Sequence, residues 1–354
     1  MLFREGDEIG PYRIVRALGQ GGMGTVYEVE HAKLGVHYAL KTFTLDHGHV
    51  DLFRRRFLAE GKVLARLRHP HIARVFDLDI LEGGALAYFV MDLVHYKDGV
   101  SYTLADLEVG GADEEHLVRW FAQLASALDY IHGLGIVHRD IKLDNILLDD
   151  KGGVTLSDFG ISKFEGERIR REVDVSRTVV STDGGVRAGG LVMGTVGYMA
   201  PEVLRGQPAT GAADAYALGV TFFRLLTGIW YEPDTNVLNL LAPFDDVWSK
   251  ILPPMLARDP AERPVRLLPL AERLRTATCA SIAKTAVTSS VGRDASRSRL
   301  RLGSWRFCGR HGLGLALLAA LSLAVGIFAW RAWRPQAHSA DFYDHLHEIP
   351  TCLS

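Results

Sequence analysis

The chain has 354 residues, 40 of them Lys or Arg and 42 Asp or Glu, with a formal net charge of -2. That balance points to neither nucleic acid nor an acidic partner, and the length suffices for one large domain or two ordinary ones. The cysteines, Cys279, Cys308 and Cys352, all lie late, which excludes a disulfide framework before them and fits a reducing compartment. The N-terminus, Met1-Leu2-Phe3-Arg4-Glu5-Gly6-Asp7, carries charges where a secretory signal needs an apolar run, so the bulk of the chain is expected in the cytoplasm.

Along the chain, Tyr12-Arg13-Ile14-Val15 reads as a strand, followed by the glycine-rich stretch Leu18 to Tyr27, with glycines at 19, 21, 22 and 24. By itself the loop is compatible with a dinucleotide turn, an ATP loop or a flexible bend. A dinucleotide fold puts a helix directly after the glycines. Here Thr25-Val26-Tyr27-Glu28-Val29-Glu30 is β-branched, aromatic and alternating, which predicts a second strand and hence a hairpin whose tip covers a nucleotide. No Gly-Lys-Ser/Thr follows, so a Walker loop is excluded. Tyr38-Ala39-Leu40-Lys41 predicts a strand with Ala39 and Lys41 on one face, the small residue leaving room for a flat ring and the lysine reaching phosphates. Leu52 to Leu67 has the apolar spacing of one helical face. From about 113 onwards the pattern turns helical, with amphipathic Leu117 to Ile131 and buried-looking Ala215 to Thr227.

Between those helices stand three short motifs: "HRDIKLDN" from His138 to Asn145, "LSDFG" from Leu156 to Gly160, and "GTVGYMAPE" from Gly194 to Glu202, the last followed by "DAYALG" from Asp214 to Gly219. An aspartate, a lysine two residues on and an asparagine five residues on place a base, a cation and a metal ligand in one loop. Each piece is weak alone; the order and spacing together are specific. The stretch 12–275 resembles the eukaryotic-type (Hanks-type) serine/threonine protein kinases, in particular the bacterial kind with a transmembrane helix behind the kinase domain.

The resemblance implies an α+β, bilobal protein kinase fold: a β-rich N-lobe at 12–91, a hinge at 92–95 and a helical C-lobe at 96–275. It implies ATP and Mg²⁺ as cofactors. Gly19, Gly21 and Gly24 would close over the phosphates, and Leu18, Val26, Ala39 and Leu147 would sandwich adenine. Met91 matches the gatekeeper, and Asp92 to Val94 the hinge segment that hydrogen-bonds adenine. Lys41 would hold the α- and β-phosphates with Glu60 as its partner. Asp140 matches the catalytic base, Lys142 the cation on the transferring phosphate, and Asn145 and Asp158 the Mg²⁺ ligands. Asp214 would pin the catalytic loop, and Glu202 and Arg263 would close the activation segment as an ion pair. Lys142 and Thr195 are typical of serine/threonine rather than tyrosine kinases. Retention of Lys41, Asp140, Asn145 and Asp158 argues against a pseudokinase scaffold, and the intact Ala200-Pro201-Glu202 against a small-molecule phosphotransferase. Leu143 departs from the commoner proline of the catalytic loop. Arg139 would pair with a phosphorylated residue of a long activation segment, the candidates being Ser176, Thr178, Ser181 and Thr182.

Residues 276–311 are rich in Arg, Ser and Thr and read as a disordered juxtamembrane linker. Gly312 to Trp330 follows as about 19 residues without a charge, near the length that crosses a bilayer. The excess of arginine before the span orients the N-terminal side to the cytoplasm of a single-pass inner-membrane protein, with 331–354 as a short extracytoplasmic tail. The expected partners are proteins with Ser or Thr acceptors, anionic lipid at the arginine run, and a second copy of the chain for trans-autophosphorylation, but no nucleic acid. The tail reads first as a plain solvated segment; the alternative is a disulfide between two Cys352 residues that would join such copies.

Overall fold

The computed structural model describes residues 2–21, 24–44, 50–81, 86–95, 99–107, 112–159, 196–232, 234–244 and 246–291. The expectations for the activation segment from 160 to 195, with Ser176, Thr178, Ser181, Thr182 and Thr195, for the span 312–330, for the tail and for Cys308 and Cys352 lie outside them. Among the described residues, no helix is long and apolar enough to cross a membrane. The chain divides into two units, Met1–Ala280 and Ser281–Ser354.

The first unit opens with an antiparallel sheet of β1 (Glu8–Ile9), β2 (Tyr12–Gly21), β3 (Gly24–His31), β4 (His37–Thr44), β5 (Val75–Ile80) and β6 (Leu86–Met91), ordered β1-β2-β3-β4-β6-β5. Alternation sorts its side chains. Ile14, Tyr27, Val29, Leu40, Tyr88 and Val90 pack into one buried cluster. Each large apolar side chain so buried contributes about 1.5–3 kcal/mol. The residues between them face the other way. Val26 lies opposite Lys41 across the β3–β4 ladder, and Ala39 lies opposite Met91 across β4–β6. The β2–β3 ladder is irregular between Ile14 and Arg16 and again between Ala17 and Gly19, which leaves Val15 and Leu18 as extra residues. Such bulges re-aim a side chain beside a site.

Helix α1 (Val50–Leu64) ends three residues before the sequence expectation, and its last turn is closed by Ala65 and Arg66 amides on Gly61 and Val63 carbonyls. It reaches the sheet very closely. A Cβ on Gly61 would come within 2.3 Å of Leu78 and 2.9 Å of Phe89, so any larger residue would have to push those side chains aside. Phe57 stacks on Phe89 at 4.3 Å on the same contact. This fixes the depth of the helix that carries Glu60.

The helical part is built on α2 (Glu114–Gly133) and α4 (Gly211–Thr227). Asp113 caps α2, accepting from the His116 amide at 2.9 Å. The Phe121, Phe222 and Trp248 rings pack at 5.1 to 5.9 Å in the core between α2, α4 and α6 (Trp248–Met255). A small sheet is ordered β7-β8-β9 (Tyr102–Thr103, Ile146–Leu148, Val154–Leu156), and an isolated bridge joins its Leu156 to Ile72, just before β5. Between α2 and β8 runs the loop containing His138 to Asn145. The shorter helices α3 (Pro201–Leu204) and α5 (Val237–Leu241) complete this part.

The last helix, α7, spans Leu268–Val291. Buried Asp129 of α2 caps it from a distance, accepting from the Leu267 and Leu268 amides at 2.9 and 3.1 Å and from Arg266 at 3.0 Å. The helix runs past 276, where the linker is expected to start. Residues 276–291 hold neither glycine nor proline, and Ala277, Ala280, Ala283 and Ala286 favour helix although the amphipathic period has faded.

Candidate active site

The open face of the sheet carries Val26, Ala39, Lys41 and Met91 together, with Met91 and Ala39 buried. Gly24, at the start of β3, has φ of 148°, and a Cβ there would overlap the Thr42 carbonyl oxygen at 1.7 Å. The loop is therefore seated on β4, and Thr42 secures it by exchanging hydrogen bonds with Thr25: its hydroxyl donates to the Thr25 carbonyl at 3.0 Å and accepts from the Thr25 amide at 3.2 Å. Leu18, Val26 and Leu147 are half-buried.

Past Met91, the Asp92 amide donates to the Arg74 carbonyl and the Asp92 carboxylate accepts from the Arg74 amide, at 3.0 and 2.8 Å. The Val94 carbonyl is taken by the Ser101 hydroxyl at 2.8 Å. Among the described residues, that leaves the Asp92 carbonyl and the Val94 amide without a hydrogen bond. An acceptor and a donor two residues apart on the segment that follows β6 suit the edge of a purine.

Below, Asn145 donates to the Asp140 backbone carbonyl at 2.7 Å and to the Asp140 carboxylate at 2.9 Å, and Lys142 stands 3.3 Å from the same carboxylate oxygen. Three side chains predicted from spacing alone thus converge on one point. Lys41 reaches down to Asp158 at 2.8 Å. The sequence expectation gives Lys41 the partner Glu60; the carboxylate that holds it here is Asp158, aimed across the cleft by a left-handed backbone with φ of 57°. Arg139 has φ of 69°. Such backbone costs roughly 1–3 kcal/mol per residue and persists where the surroundings over-determine it.

The surroundings at Arg139 are explicit. Asp214, fully buried on α4, accepts from the His138 and Arg139 amides at 2.8 Å each and from the His132 ring at 2.9 Å. Charge-assisted bonds to two successive amides hold the loop in its strained turn. Farther along, Arg263 and Glu202 form a buried two-pronged pair at 2.6 and 2.8 Å. Sequence spacing did not reveal His132, since its partner lies 82 positions away.

His138 is buried, donates from Nε2 to the Ser157 carbonyl at 3.0 Å, and accepts at Nδ1 from the Asp140 amide at 3.3 Å. These bonds suit the neutral ring. Burial pushes its pKa below the ordinary histidine value, outweighing the nearby Asp214 and Asp140. The unfolded chain therefore takes up a proton first as pH falls. The stability due to neutral His138 is complete above about pH 6.5 and is lost as pH drops through the folded value. Half-buried His69 shifts in the same direction. The denaturation midpoint should fall on acidification, and less steeply for His138→Gln; identical slopes would remove His138 from the account.

Asp158 and Asn145 supply hard oxygen donors beside the lysine, and the Asn145 amide nitrogen is committed to Asp140, which turns its carboxamide oxygen outward. One carboxylate and one carboxamide, with the remaining positions left to phosphate and water, suit Mg²⁺. Among the described residues there is no cluster of three or more His, Cys, Asp or Glu that would hold a metal by itself.

The family described as "Protein kinase domain" matches residues 12–242. The chain belongs to the protein kinase family. Its bilobal architecture is similar to that of the Mycobacterium tuberculosis PknI kinase domain, with a TM-score of 0.55 and 28% identity over 78% of this chain and all of that one. Among curated proteins it is similar to the probable serine/threonine-protein kinase pknA2 of Bifidobacterium longum, 35% identical over 232 residues. PknF of Mycobacterium tuberculosis is 36% identical over 232 residues, and PrkC of Bacillus subtilis 35% over 219. These alignments take in 62% to 64% of this chain but only 28%, 45% and 31% of the three relatives' own lengths.

Proposed function

We propose that the chain is an ATP- and Mg²⁺-dependent serine/threonine protein kinase. The observation that carries this reading is the convergence of Lys142 and Asn145 on the Asp140 carboxylate in a loop pinned by Asp214. A bound Mg²⁺ at Asn145 and Asp158 would offset the charge of the phosphates. Asp140 orients a serine or threonine hydroxyl and accepts its proton as the oxygen bonds to the γ-phosphorus. The bond from that phosphorus to the bridging oxygen breaks, and ADP leaves with the electron pair. Lys142 and Lys41 offset charge on the phosphates. Lys142 also favours serine and threonine over tyrosine, in keeping with the names of the similar proteins.

The proposal includes a single membrane anchor at 312–330, supported by its uncharged composition and the arginines before it, with anionic-lipid contact at those arginines. It also includes activation by trans-autophosphorylation of the segment from 160 to 195, supported by its hydroxyl and arginine content. Carbonate-washed membranes from cells expressing the full chain should incorporate label from γ-labelled ATP and Mg²⁺ into serine and threonine of the chain. Label on tyrosine alone would overturn the serine/threonine reading, and no transfer to the chain or to a general protein substrate in either the membrane or the soluble fraction would overturn the kinase reading. Full activity in the soluble fraction would overturn the anchor and leave the kinase.

A further inference from the structure

Beyond the catalytic loop, the described end of the activation segment rests on an unusual wall. Tyr198, Met199 and Ala200 line a 40 Å³ cavity together with Arg139, Asp140 and Ile141, so this stretch lies directly beside the proposed base. The Tyr198 hydroxyl accepts from Arg224 of α4 at 2.8 Å. The Arg224 guanidinium lies 3.8 Å from the centre of the Trp230 ring, and the Trp230 and Tyr198 rings meet edge-on at 5.3 Å. Gly197 has no side chain because the indole occupies its place: a Cβ would come within 2.7 Å of Trp230. Left-handed Gly228 ends α4 with its amide on the Arg224 carbonyl, and the reversal brings Ile229 and Trp230 back towards this surface. Both are exposed, Trp230 by 40% and Ile229 by 46%.

Arg224 is half-buried, and among the described residues no carboxylate pairs with it. One guanidinium nitrogen is used by Tyr198; the edge formed by Nε and the other terminal nitrogen carries no hydrogen bond among those residues. That edge is the one that takes a carboxylate with two parallel bonds. Asp144, exposed on the catalytic loop, approaches Tyr198 but makes no ion pair with Arg224. Burial raises the Tyr198 hydroxyl pKa although Arg224 opposes it, so the phenol stays neutral and does not quench the cation.

We propose that Arg224 and Trp230 form a binding site for an acidic side chain of the polypeptide substrate, close to its phosphoacceptor. The inference rests on the protein kinase reading above. The carboxylate meets the open guanidinium edge, and the exposed indole supports the methylene of the same residue. A basic side chain there faces a partly desolvated cation and is rejected.

The test uses the full chain and a panel of serine- and threonine-centred peptides carrying Asp and Glu, or Lys and Arg, at flanking positions. The wild type should prefer acidic peptides at one position by roughly 10- to 100-fold in kcat/KM, chiefly through KM, as a charge-assisted bond implies. Arg224→Glu places a second carboxylate near Asp144 and should reverse the preference towards basic peptides. Trp230→Ala should weaken the acidic preference without reversing it. If Arg224 only props Tyr198, Arg224→Glu will slow all peptides by one factor, which would overturn the proposal. Charge-indifferent wild-type activity would overturn it too, whether or not Arg224→Glu folds, and would leave the kinase reading standing. No transfer to any peptide or to the chain itself would remove both.

Discussion

Asp140→Asn should lower phosphoryl transfer by about 10²- to 10⁴-fold, the range expected for loss of a positioned general base. The substitution keeps the shape of the side chain and replaces one carboxylate oxygen by an NH₂ group. The oxygen that accepts from Asn145 at 2.9 Å also stands 3.3 Å from Lys142. With an amide there, either Asn145 and Lys142 face a donor, or the amide flips and presents its donor to the incoming hydroxyl. In the first arrangement the amide oxygen still accepts a hydrogen bond from the hydroxyl but is too weak a base to take its proton; in the second no acceptor faces it; and in both the negative charge that Lys142 balances disappears. Folding should change little, because the backbone of the loop is held by Asp214 and not by this carboxylate. The measurement is the initial rate of label transfer at saturating ATP, with the denaturation midpoint as the control. A variant as fast as the wild type would remove Asp140 as the base. A loss of rate accompanied by unfolding would show instead that the carboxylate is structural.

Much of this site can be read from sequence because its parts are local. Asp140, Lys142 and Asn145 lie within six residues of one another, and strand alternation alone puts Ala39 and Lys41 on one face. The residues that hold those parts in place are not local. The His132–Asp214 contact joins positions 82 apart, and Asp129 caps a helix that starts 139 positions later. Neither leaves a periodic signal, and a buried aspartate looks like a surface one in a sequence. Gly61 and Gly197 are similar. Their reason is a neighbour's side chain, Leu78 in one case and Trp230 in the other, and no turn rule anticipates it. The extent of the last helix is less legible, because the amphipathic period fades near 275 while helix propensity carries α7 on to Val291.

Glu202→Ala should cost about 3–5 kcal/mol of stability, the range for removing one partner of a buried ion pair. The arginine left behind is the reason. Arg263 is wholly buried, with its guanidinium 4.8 Å from the Tyr216 ring and its remaining N–H groups on the Ala257, Ala212 and Arg258 carbonyls at 2.8, 3.0 and 3.3 Å. It cannot shed its proton and has no route to water. Without Glu202 it keeps its bonds to neutral carbonyls and loses the only charge that balances it in this contact. For a unit of this size the melting temperature should fall by roughly 10 °C. Activity should fall as well, since Glu202 follows Pro201 at the start of α3, directly after the Tyr198–Ala200 stretch that borders Asp140. Arg263→Lys should recover little, because an ammonium lacks the fork that meets both carboxylate oxygens. Replacing both partners, as in Glu202→Ala with Arg263→Met, should be milder than Glu202→Ala alone, because no unbalanced charge remains buried. A single variant that melts with the wild type would mean that the pair sets only the shape of the segment and not the stability of the fold.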